Sequence, residues 1–406
     1  MRFTIVSQHF YPDTFRINDI ARALAARGHT VRVLTGLPDY DTGRLAPVYR
    51  MGRLRRETWQ GVYIRRVPTT LRRKGSFWRL INYASFAITG WLWACFALAD
   101  ADAVLTFQTS PVSMGIPAQR LARRAKAPHI LYCLDVWPDC VTVWGVRPGG
   151  AVYRLVRAIS ARVYRAADTV AVSSRPFAPY LAQVCGVDAG RITYLPQPGE
   201  GALDAAPSPY EDNGTVDFVF AGNLGDAQGA DVMLDAVEAL RLRAGFHLHV
   251  VGDGVALPRL RAACRGKGLD ALVTFYGRRP AADMPGFYRL ADAFVLTLAG
   301  GGPVGRTLPG KLQGYLAAGK PVLAAADADG AACQVIREAG AGLCSPPGDS
   351  AALAANIAAV LDDPARARAW GQSGRDYYEQ EFSWDTFMAR LGDCLPHTEK
   401  GVAHDV

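Results

Sequence analysis

The residues with the clearest chemical potential lie at 307–322, in the sequence TLPGKLQGYLAAGKPV. A Leu-Pro-Gly turn at 308–310 precedes a helical pattern that Gly319 ends, and Lys311 falls in the first turn of this predicted helix. The first amides of a helix have no partner within it, and the helix dipole places partial positive charge there. The amides of 310–312 and the lysine ammonium therefore suit an anion such as phosphate. An ordinary helix of a βαβ unit has the same pattern, so both interpretations stay open.

Glycine-rich turns follow three predicted strands that precede this helix. They have the sequences AGNLG at 221–225, VGDG at 251–254 and YGRR at 276–279. The carboxyl ends of parallel strands share one edge of a sheet, and glycines there allow the backbone to approach a ligand closely. Each turn alone is weak evidence. Together with the helix start at 310, the turns predict a mononucleotide site.

The elements that must hold these turns alternate along the whole chain. A short apolar strand is followed by an amphipathic helix many times, beginning with a strand at 3–7, a helix at 18–27 and a strand at 31–35. This alternation predicts an α/β fold with parallel sheets. No GxGxxG sequence follows the first strand, which argues against a dinucleotide-dependent oxidoreductase.

The chain is long enough for two domains, and its composition indicates where they divide. Half of the 406 residues are hydrophobic, which is enough for two cores. The stretch at 196–214 is rich in proline, glycine and acidic residues, so it predicts a linker between domains at 1–195 and 215–380. We expect a final helix at 381–396 and a flexible tail at 397–406.

The charge balance narrows the choice of partners. Lys and Arg outnumber Asp and Glu by 45 to 37, which gives a formal net charge of +8. This excess favours nucleotide diphosphates, other polyanions or an acidic membrane surface. The eight cysteines are isolated, with no CxxC pair, which predicts a cytoplasmic protein without a zinc site or a disulfide framework. The start, MRFTIVSQHFYP, has the pattern of a strand and not of a signal peptide.

An arginine-dense stretch at 44–74, with interleaved aromatic residues, precedes a charge-free stretch at 80–99. One interpretation is a membrane-spanning helix with basic residues on its inner side. We favour a largely buried helix whose basic and aromatic neighbours face an anionic membrane surface, because polar residues interrupt 80–99 and a strand follows at once. No RNA- or DNA-binding pattern accompanies the arginines, so nucleic acid is not an expected partner.

Two groups of polar residues lie where strands of the first domain are predicted to end. His9, Tyr11 and Arg16 follow the first strand, and Asp135 follows a strand at 130–132. Ligand-binding and catalytic residues collect at such strand ends. A solvated turn or a turn-capping aspartate would have the same residue types, so both roles stay open.

Taken together, these motifs resemble the GT-B glycosyltransferases of family 4, which are retaining sugar transferases. The resemblance covers nearly the whole chain. Asn223, Gln228 and the DVWP sequence at 135–138 are most similar to the bacterial branch that builds O-antigen, capsule or colanic-acid repeats, where the fucosamine-type transferases are nearest. The other matching sequences are RGH at 27–29, AGNLG at 221–225, VGDG at 251–254, YGR at 276–278, LADAFV at 290–295, LAAGKP at 316–321, AGAGL at 339–343, PPGD at 346–349 and FSW at 382–384.

The resemblance implies two Rossmann-like domains facing across a cleft, with the C-terminal helix crossing back to the N-terminal domain. It implies transfer of a sugar from a nucleotide-diphosphate donor, held by the second domain, to a hydroxyl of a growing, lipid-linked glycan. No metal ion or other cofactor is expected. The expected location is cytoplasmic, on the inner face of the cell membrane.

The chain departs from the family pattern at the donor site. The family often has Arg in place of Asn223, Lys in place of Gln228 and Glu in place of Gly314, and Arg306 stands where a second carboxylate would be. We therefore expect Arg306 and an exposed Lys311 to neutralise the leaving diphosphate, with backbone amides at 224–225 and 310–312 adding donors. The candidate residues are Asp135, Arg306 and Lys311 for catalysis; Asn223, Leu224, Gly225, Gly252, Asp253, Gly277, Arg278, Leu308, Pro309, Gly310, Leu312 and Gln313 for donor binding; and His9, Tyr11 and Arg16 for the acceptor.

Two other functions fit the same scaffold. A sugar-nucleotide epimerase would need neither an acceptor nor a membrane-facing basic stretch. A non-catalytic nucleotide-sugar-binding subunit is suggested by the missing carboxylate pair.

Overall fold

The structure, a computed structural model, describes residues 1–40, 43–73, 75–97, 100–199, 210 and 213–395. The chain forms two compact units. The first contains Met1–Leu195 together with the residues from Arg390, and the second contains Pro196–Ala389. The predicted linker at 196–214 lies for the most part outside the described residues, and the predicted tail at 397–406 lies outside them entirely.

A twisted sheet with eight described strands forms the first unit. Its strands are β1 (Arg2–Val6), β2 (Thr30–Thr35), β3 (Arg56–Trp59), β4 (Val62–Arg66), β5 (Ala103–Gln108), β6 (His129–Cys133), β7 (Thr169–Val172) and β8 (Ile192–Tyr194). Their order is β3-β4-β2-β1-β5-β6-β7-β8, and only the pairing of β3 with β4 is antiparallel. The strand order reverses between β1 and β5. The loops after these strands therefore flank the place where ligands bind in open α/β sheets.

Helices connect these strands, as the alternating sequence pattern predicts. They are α1 (Arg16–Ala26), α2 (Ser76–Phe96), α3 (Gly115–Ala125), α4 (Ala151–Arg165) and α5 (Phe177–Cys185). Strands β5 and β6 are buried along their whole length, as expected of central parallel strands whose two faces are both covered.

The antiparallel hairpin of β3 and β4 lies within the arginine-dense stretch, and the sequence analysis missed it. Gln60 and Gly61 form its turn with positive φ values of 46° and 81°, the conformation that favours a two-residue hairpin. The side chain of Arg66 is 1% exposed and pairs with Glu57. The arginines of this stretch therefore do not all face outward.

Helix α2 corresponds to the predicted helix at 80–99, whose last two residues lie outside the described chain. The prediction of a largely buried helix is wrong, because only one side of α2 is buried. That side contains Asn82, Tyr83, Phe86, Ala87, Gly90 and Ala94. The other side exposes Phe77, Trp78, Leu80, Ile88, Trp91, Leu92 and Phe96. Within the described ranges, no helix is both long and apolar enough to cross a membrane.

The second unit contains a fully parallel sheet. Its described strands are β9 (Val216–Ala221), β10 (Phe246–Val251), β11 (Val273–Gly277), β12 (Ala293–Thr297), β13 (Val322–Ala325) and β14 (Gly342–Ser345). Their order is β11-β10-β9-β12-β13-β14, which is the doubly wound Rossmann order. The order reverses between β9 and β12, so the turn after β9 lies at the place where a nucleotide binds in such sheets.

Helices cover both faces of this second sheet, and two apolar clusters of buried side chains lie against it. These helices are α6 (Asp231–Ala239), α7 (Leu257–Gly266), α8 (Met284–Leu290), α9 (Gly302–Arg306), α10 (Gly310–Ala317), α11 (Ala331–Glu338), α12 (Ser350–Asp362) and α13 (Pro364–Glu381). The last helix, α14 (Trp384–Asp393), begins in the second unit and ends in the first, whose C-terminal part starts at Arg390. The predicted helix at 381–396 is therefore shorter than expected, because α13 ends at Glu381 and α14 begins at Trp384.

Candidate functional site

A cavity of about 500 Å³ lies at the carboxyl ends of β9, β10 and β11. It is lined by residues from all three predicted glycine-rich turns, namely Gly222, Asn223, Val251, Gly252, Asp253, Gly254, Arg278 and Arg279, and by Met284 at the start of α8. The structure thus brings together four of the predicted donor-binding residues, Asn223, Gly252, Asp253 and Arg278. The cavity volume is within the usual range for small-ligand sites.

The turns after β9 and β10 pack backbone against backbone, which only glycine permits. A Cβ atom on Gly252 would lie 1.8 Å from the carbonyl oxygen of Gly222, and a Cβ atom on Gly254 would lie 2.4 Å from that of Leu224. Gly222 and Gly252 have φ values of 146° and 145°, which side chains rarely allow. The shape of the cavity therefore depends on these glycines.

We expect Gly252→Ala to destabilise the second unit by about 2–4 kcal/mol, because the new methyl group overlaps the Gly222 carbonyl and strains the backbone. Thermal unfolding measures the change. Gly286→Ala, on α8, is the matched control, since nothing lies within 4 Å of its added Cβ and alanine favours a helix. An unchanged unfolding temperature for Gly252→Ala would contradict the described packing of the two turns.

The ammonium group of Lys311 is buried beside the turn after β9. Its Nζ atom lies 4.0 Å from the centroid of the Phe220 ring and 3.2 Å from the position of a Cβ on Gly222. Nζ is buried and has no hydrogen-bond partner among the described residues. Burial lowers the pKa of Lys311 to about 8. The expectation that Lys311 is exposed is therefore wrong. A buried ammonium without a partner is unfavourable, and an anion beside Gly222 would supply the missing partner.

Tyr315 ties helix α10 to the end of β9. Its hydroxyl donates a hydrogen bond of 2.9 Å to the carbonyl of Ala221 and accepts one of 2.9 Å from the amide of the same residue. Its ring stacks on Phe294, with 4.0 Å between the ring centroids. Because Ala221 directly precedes Gly222, these bonds set the position of Lys311, one helical turn earlier in α10, relative to the glycine turn.

Several amides that we expected to bind phosphate are already engaged within the protein. The Leu224 amide donates to the carbonyl of Asp253 at 2.9 Å, and the Gly225 amide donates to Oε1 of Gln228 at 3.0 Å. The Leu312 amide donates to the carbonyl of Pro309 at 3.0 Å. The expectation that these three amides are available donors is therefore wrong. At the start of α10, helix geometry leaves the amides of 310 and 311 without an acceptor inside the helix.

The remaining predicted donor-binding residues have different positions. The side-chain amide of Gln313 is buried and donates to the carbonyl of Gln197 at 3.1 Å, so it holds the segment after β8. Leu308 and Leu312 contribute buried side chains to the core, and Gly277 ends β11 with a φ of 68°. Arg306 is the last residue of the short helix α9. It is not among the described residues that line the cavity.

In the first unit, Asp135 lies just beyond the end of β6. Its Oδ2 atom accepts a hydrogen bond of 2.8 Å from the Ser110 hydroxyl, which in turn accepts one of 3.2 Å from the indole of Trp137. Burial raises the pKa of Asp135, although the hydrogen bond from Ser110 opposes the shift. A carboxylate whose pKa is raised by burial, and which lies at the carboxyl edge of the sheet, is suited to accept a proton.

His9 follows β1 and is 3% exposed. Its ring stacks on Phe15, with 5.7 Å between centroids, and contacts the edge of Tyr40 at 4.8 Å. Burial, followed by the charge of Arg72, lowers the pKa of His9 to about 3, so the ring is neutral near pH 7. Within the described chain, neither ring nitrogen has a hydrogen-bond partner.

The other two predicted acceptor-side residues make contacts within the first unit. The ring of Tyr11 stacks on Trp59, with 4.6 Å between centroids, and its carbonyl accepts a hydrogen bond from Arg66. Arg16 begins α1 and lies 3.7 Å from the carboxylate of Asp19. These contacts give no indication that either side chain binds a ligand.

Comparison with known proteins identifies the family to which the chain belongs. Residues 14–198 match the model described as "Glycosyl transferase 4-like domain", and residues 215–363 match "Glycosyl transferases group 1". The two matches together span most of the chain and correspond to the two units. The chain is a glycosyltransferase of the GT-B fold.

The relatives of this glycosyltransferase are distant but extend over most of its length. It is 26% identical over 362 residues to the putative colanic acid biosynthesis glycosyl transferase WcaI of Escherichia coli K12, covering 83% of this chain and 86% of WcaI. Its fold is similar to that of sucrose-phosphate synthase from Thermosynechococcus elongatus, with a TM-score of 0.72, 18% identity and 97% of each chain covered. It is also similar to Anabaena HepE in complex with UDP, with a TM-score of 0.69, 16% identity, and 97% and 98% of the two chains covered.

At Gly314, where the resemblance to the family implies a glutamate, the structure places a tyrosine close to the glycine. A Cβ atom there would lie 2.9 Å from the hydroxyl of Tyr288, which is a buried residue. Tyr288 thus fills the space that a glutamate side chain would enter. Asn223 and Gln228 are uncharged and hydrogen-bond to each other at 3.4 Å. Lys311 therefore supplies the buried positive charge at this glycine turn.

Two residues that shape the site, Tyr288 and Tyr315, were not among the sequence candidates. Tyr315 was visible only as one apolar position of a helical pattern. No local signal connects it to Ala221, because the two are 94 residues apart in the chain. Likewise, the contact between Gly314 and Tyr288 exists only after α8 and α10 pack together.

Proposed function

We propose that this glycosyltransferase moves a sugar from a nucleoside diphosphate to a hydroxyl of a growing bacterial surface glycan, with retention of configuration at the anomeric carbon. The observation that carries the proposal is the buried ammonium of Lys311, which has no described hydrogen-bond partner and lies against the glycine turn that lines the cavity. A diphosphate bound there would pair with the ammonium and with the first amides of α10.

The geometry suits a reaction in which the enzyme positions its reactants and stabilises charge. In the proposed step, the bond between the anomeric carbon and the diphosphate oxygen breaks, and the acceptor oxygen attacks from the same face. The acceptor proton passes to the carboxylate of Asp135. Lys311 stabilises the negative charge on the leaving group, and no protein nucleophile or cofactor is proposed.

The names of similar proteins support a surface glycan as product and a nucleotide as part of the donor. WcaI is named for colanic acid biosynthesis, and HepE has been solved in complex with UDP. The DVWP sequence, Asn223 and Gln228 resemble the bacterial branch that builds O-antigen, capsule or colanic-acid repeats, in which the fucosamine-type transferases are nearest, so we propose that the chain belongs to this branch. We also propose a lipid-linked acceptor, because the first unit presents an apolar and basic surface on and beside α2.

Heat-unfolding protection by a panel of UDP-, GDP- and dTDP-sugars tests the donor assignment. The matching donor should protect the wild type, with about 2.7 kcal/mol of stabilisation at a hundredfold excess over its dissociation constant. Lys311→Met should lose only part of this protection, and much less than it loses in turnover, because the ammonium stabilises the transition state more than the bound donor. Product analysis without an acceptor then separates the alternatives, since an epimerase would convert the donor alone and a binding subunit would neither convert nor transfer it. Absence of protection by every nucleotide would contradict the proposal.

We further propose that the protein attaches peripherally to the anionic inner face of the cell membrane. The exposed side of α2 carries large apolar residues, including Phe77, Trp91 and Phe96, and exposed arginines such as Arg53 and Arg73 lie nearby in sequence. Aromatic and apolar side chains insert at the interface, while each basic residue near an anionic surface contributes on the order of 1 kcal/mol that salt screens.

We expect high-salt washing to release most of the protein from membranes. Changing Arg53 and Arg73 to Glu should weaken binding to phosphatidylglycerol-containing vesicles at least tenfold, because two attractive charges become repulsive. Vesicle co-sedimentation measures this effect. The same change at Arg241 and Arg265, exposed residues of the second unit, is the matched control. Release by detergent but not by salt would contradict electrostatic attachment.

A further inference from the structure

The first unit contains a second, larger cavity of about 980 Å³ that the proposed sugar transfer does not use. It lies on the face of the sheet that α2 and α3 cover, beside the last turn of α2. Its apolar lining includes Leu34, Leu92, Trp93, Phe96 and Leu121. The volume is at the upper end of the range for small-ligand pockets.

Two arginines line the edge of this cavity and lie directly opposite each other. Arg56 of β3 and Arg65 of β4 are cross-strand partners in the antiparallel pair, and both line the cavity. Like charges in this arrangement repel each other. The Nε atom of Arg65 is buried and has no hydrogen-bond partner in the described chain. Burial, and then the charges of Arg56 and Arg55, lower the pKa of Arg65.

The carboxylates that line the same cavity are paired with other arginines. Asp100 pairs with Arg2 and Arg32, and Glu57 pairs with Arg66. The positive charge of Arg56 and Arg65 is therefore not balanced by these two acidic residues. An anion placed between the two guanidinium groups would relieve their repulsion and provide an acceptor for the buried Nε.

We propose that this cavity binds one anionic lipid, with its phosphate at Arg56 and Arg65 and its hydrocarbon chain among Leu92, Trp93 and Leu121. Charge complementarity selects the head group, and the apolar lining selects the chain. The exposed Phe96, which lines the cavity and is 87% exposed, places the opening beside the apolar side of α2. This site is independent of the donor cavity in the second unit, and it differs from general membrane attachment because it holds one lipid molecule per protein.

Calorimetric titration of the full-length protein with dihexanoyl phosphatidylglycerol, below its critical micelle concentration, tests the proposal. We expect saturable binding of one molecule per chain, with dihexanoyl phosphatidylcholine and inorganic phosphate each binding at least tenfold more weakly. The intrinsic tryptophan fluorescence of the protein should change on binding, because Trp93 lines the cavity. Donor protection is measured separately, so failure of the sugar-transfer proposal and failure of this one are distinguishable.

Two variants test the two halves of the site. Arg65→Gln should weaken phosphatidylglycerol binding at least tenfold by removing charge, and Ala125→Trp should do so by filling the cavity, which Ala125 lines. Arg154→Gln, at an exposed residue of α4, is the matched control and should change binding less than twofold. If Arg65→Gln fails to fold, phosphatidylglycerol binding by Ala125→Trp still tests the proposal. Equal binding of the phosphatidylcholine, equal binding of phosphate alone, or no binding would overturn the proposal.

Discussion

Replacing Lys311 with methionine should lower the rate of sugar transfer by about a hundredfold or more, while the protein becomes more stable. In the proposed reaction, negative charge grows on the leaving diphosphate as its bond to the sugar breaks. The ammonium therefore stabilises the transition state more than the ground state. Removing one preorganised donor of this kind from an enzyme typically costs two to three orders of magnitude in turnover. Steady-state kinetics with the matching donor measures the loss.

The gain in stability follows from the burial of the ammonium. The pKa of Lys311 falls from 10.5 to about 8, so between these two pH values the unfolded chain binds more protons than the folded chain. Wild-type stability therefore rises as pH increases from about 8 to 10.5, and below pH 8 the folded state carries the full cost of the buried charge. Removing the charge should raise the free energy of unfolding at pH 7 by up to about 3 kcal/mol.

Lys267→Met is the matched control for Lys311→Met. Lys267 belongs to the same unit and pairs with Asp235 and Glu238 on its surface. We expect its replacement to leave the transfer rate within about twofold and to lower stability slightly, since surface ion pairs contribute about 0–1 kcal/mol. A Lys311→Met enzyme that transfers sugar at the wild-type rate would remove Lys311 from the reaction.

Replacing Asp135 with asparagine should reduce transfer by about 10²–10⁴-fold, the usual contribution of a general base. The amide keeps the shape of the carboxyl group but cannot accept the acceptor's proton. Donor binding should not change, because the donor cavity is lined by residues of the second unit. Kinetics with a saturating donor, together with heat-unfolding protection by the donor, measure the two effects. Asp102→Asn, which removes the pairing of Asp102 with Arg2, is the matched control.

The pH profile adds a test that separates catalysis by Asp135 from a structural role. Only the ionised carboxylate can accept a proton, so transfer should fall as pH decreases through the raised pKa of Asp135. The Ser110 hydroxyl donates to this carboxylate and lowers its pKa. Ser110→Ala should therefore move the acidic limb of the profile to higher pH. A limb that stays in place in this variant would contradict the assignment of the base.

The parallel sheets and the cavity edge follow from local patterns that are present in the sequence. Strand β13 begins at Val322, directly after the glycine that ends the predicted helix and the proline that follows it. The glycine turns at 222 and 252 are recognisable since a backbone that packs against backbone requires glycine. Such features depend on residues close together in the chain.

The burial of the Lys311 ammonium group could not be predicted from residues that lie close together in the chain. Its burial depends on Phe220 and Gly222, which lie about ninety residues earlier in the chain, and on the Tyr315 hydroxyl that holds α10 against Ala221. The side chain itself is polar and begins a helix, which is typical of an exposed lysine. The β3–β4 hairpin was missed for a related reason: its arginines indicate a charged surface, and only the pairing of β4 with β2 shows that the segment belongs to the sheet.

Proton uptake on donor binding tests most directly whether the diphosphate lies at Lys311. At pH 8.5, a pKa of about 8 leaves about three-quarters of the Lys311 side chains neutral in the free protein, whereas the phosphates of the nucleotide are already ionised. Pairing with the diphosphate should restore the charge. Calorimetric titrations with the best nucleoside diphosphate, in two buffers of different ionisation enthalpy, should therefore show uptake of about 0.7 proton by the wild type and almost none by Lys311→Met. Binding by the wild type without proton uptake, or equal uptake by the variant, would contradict the account.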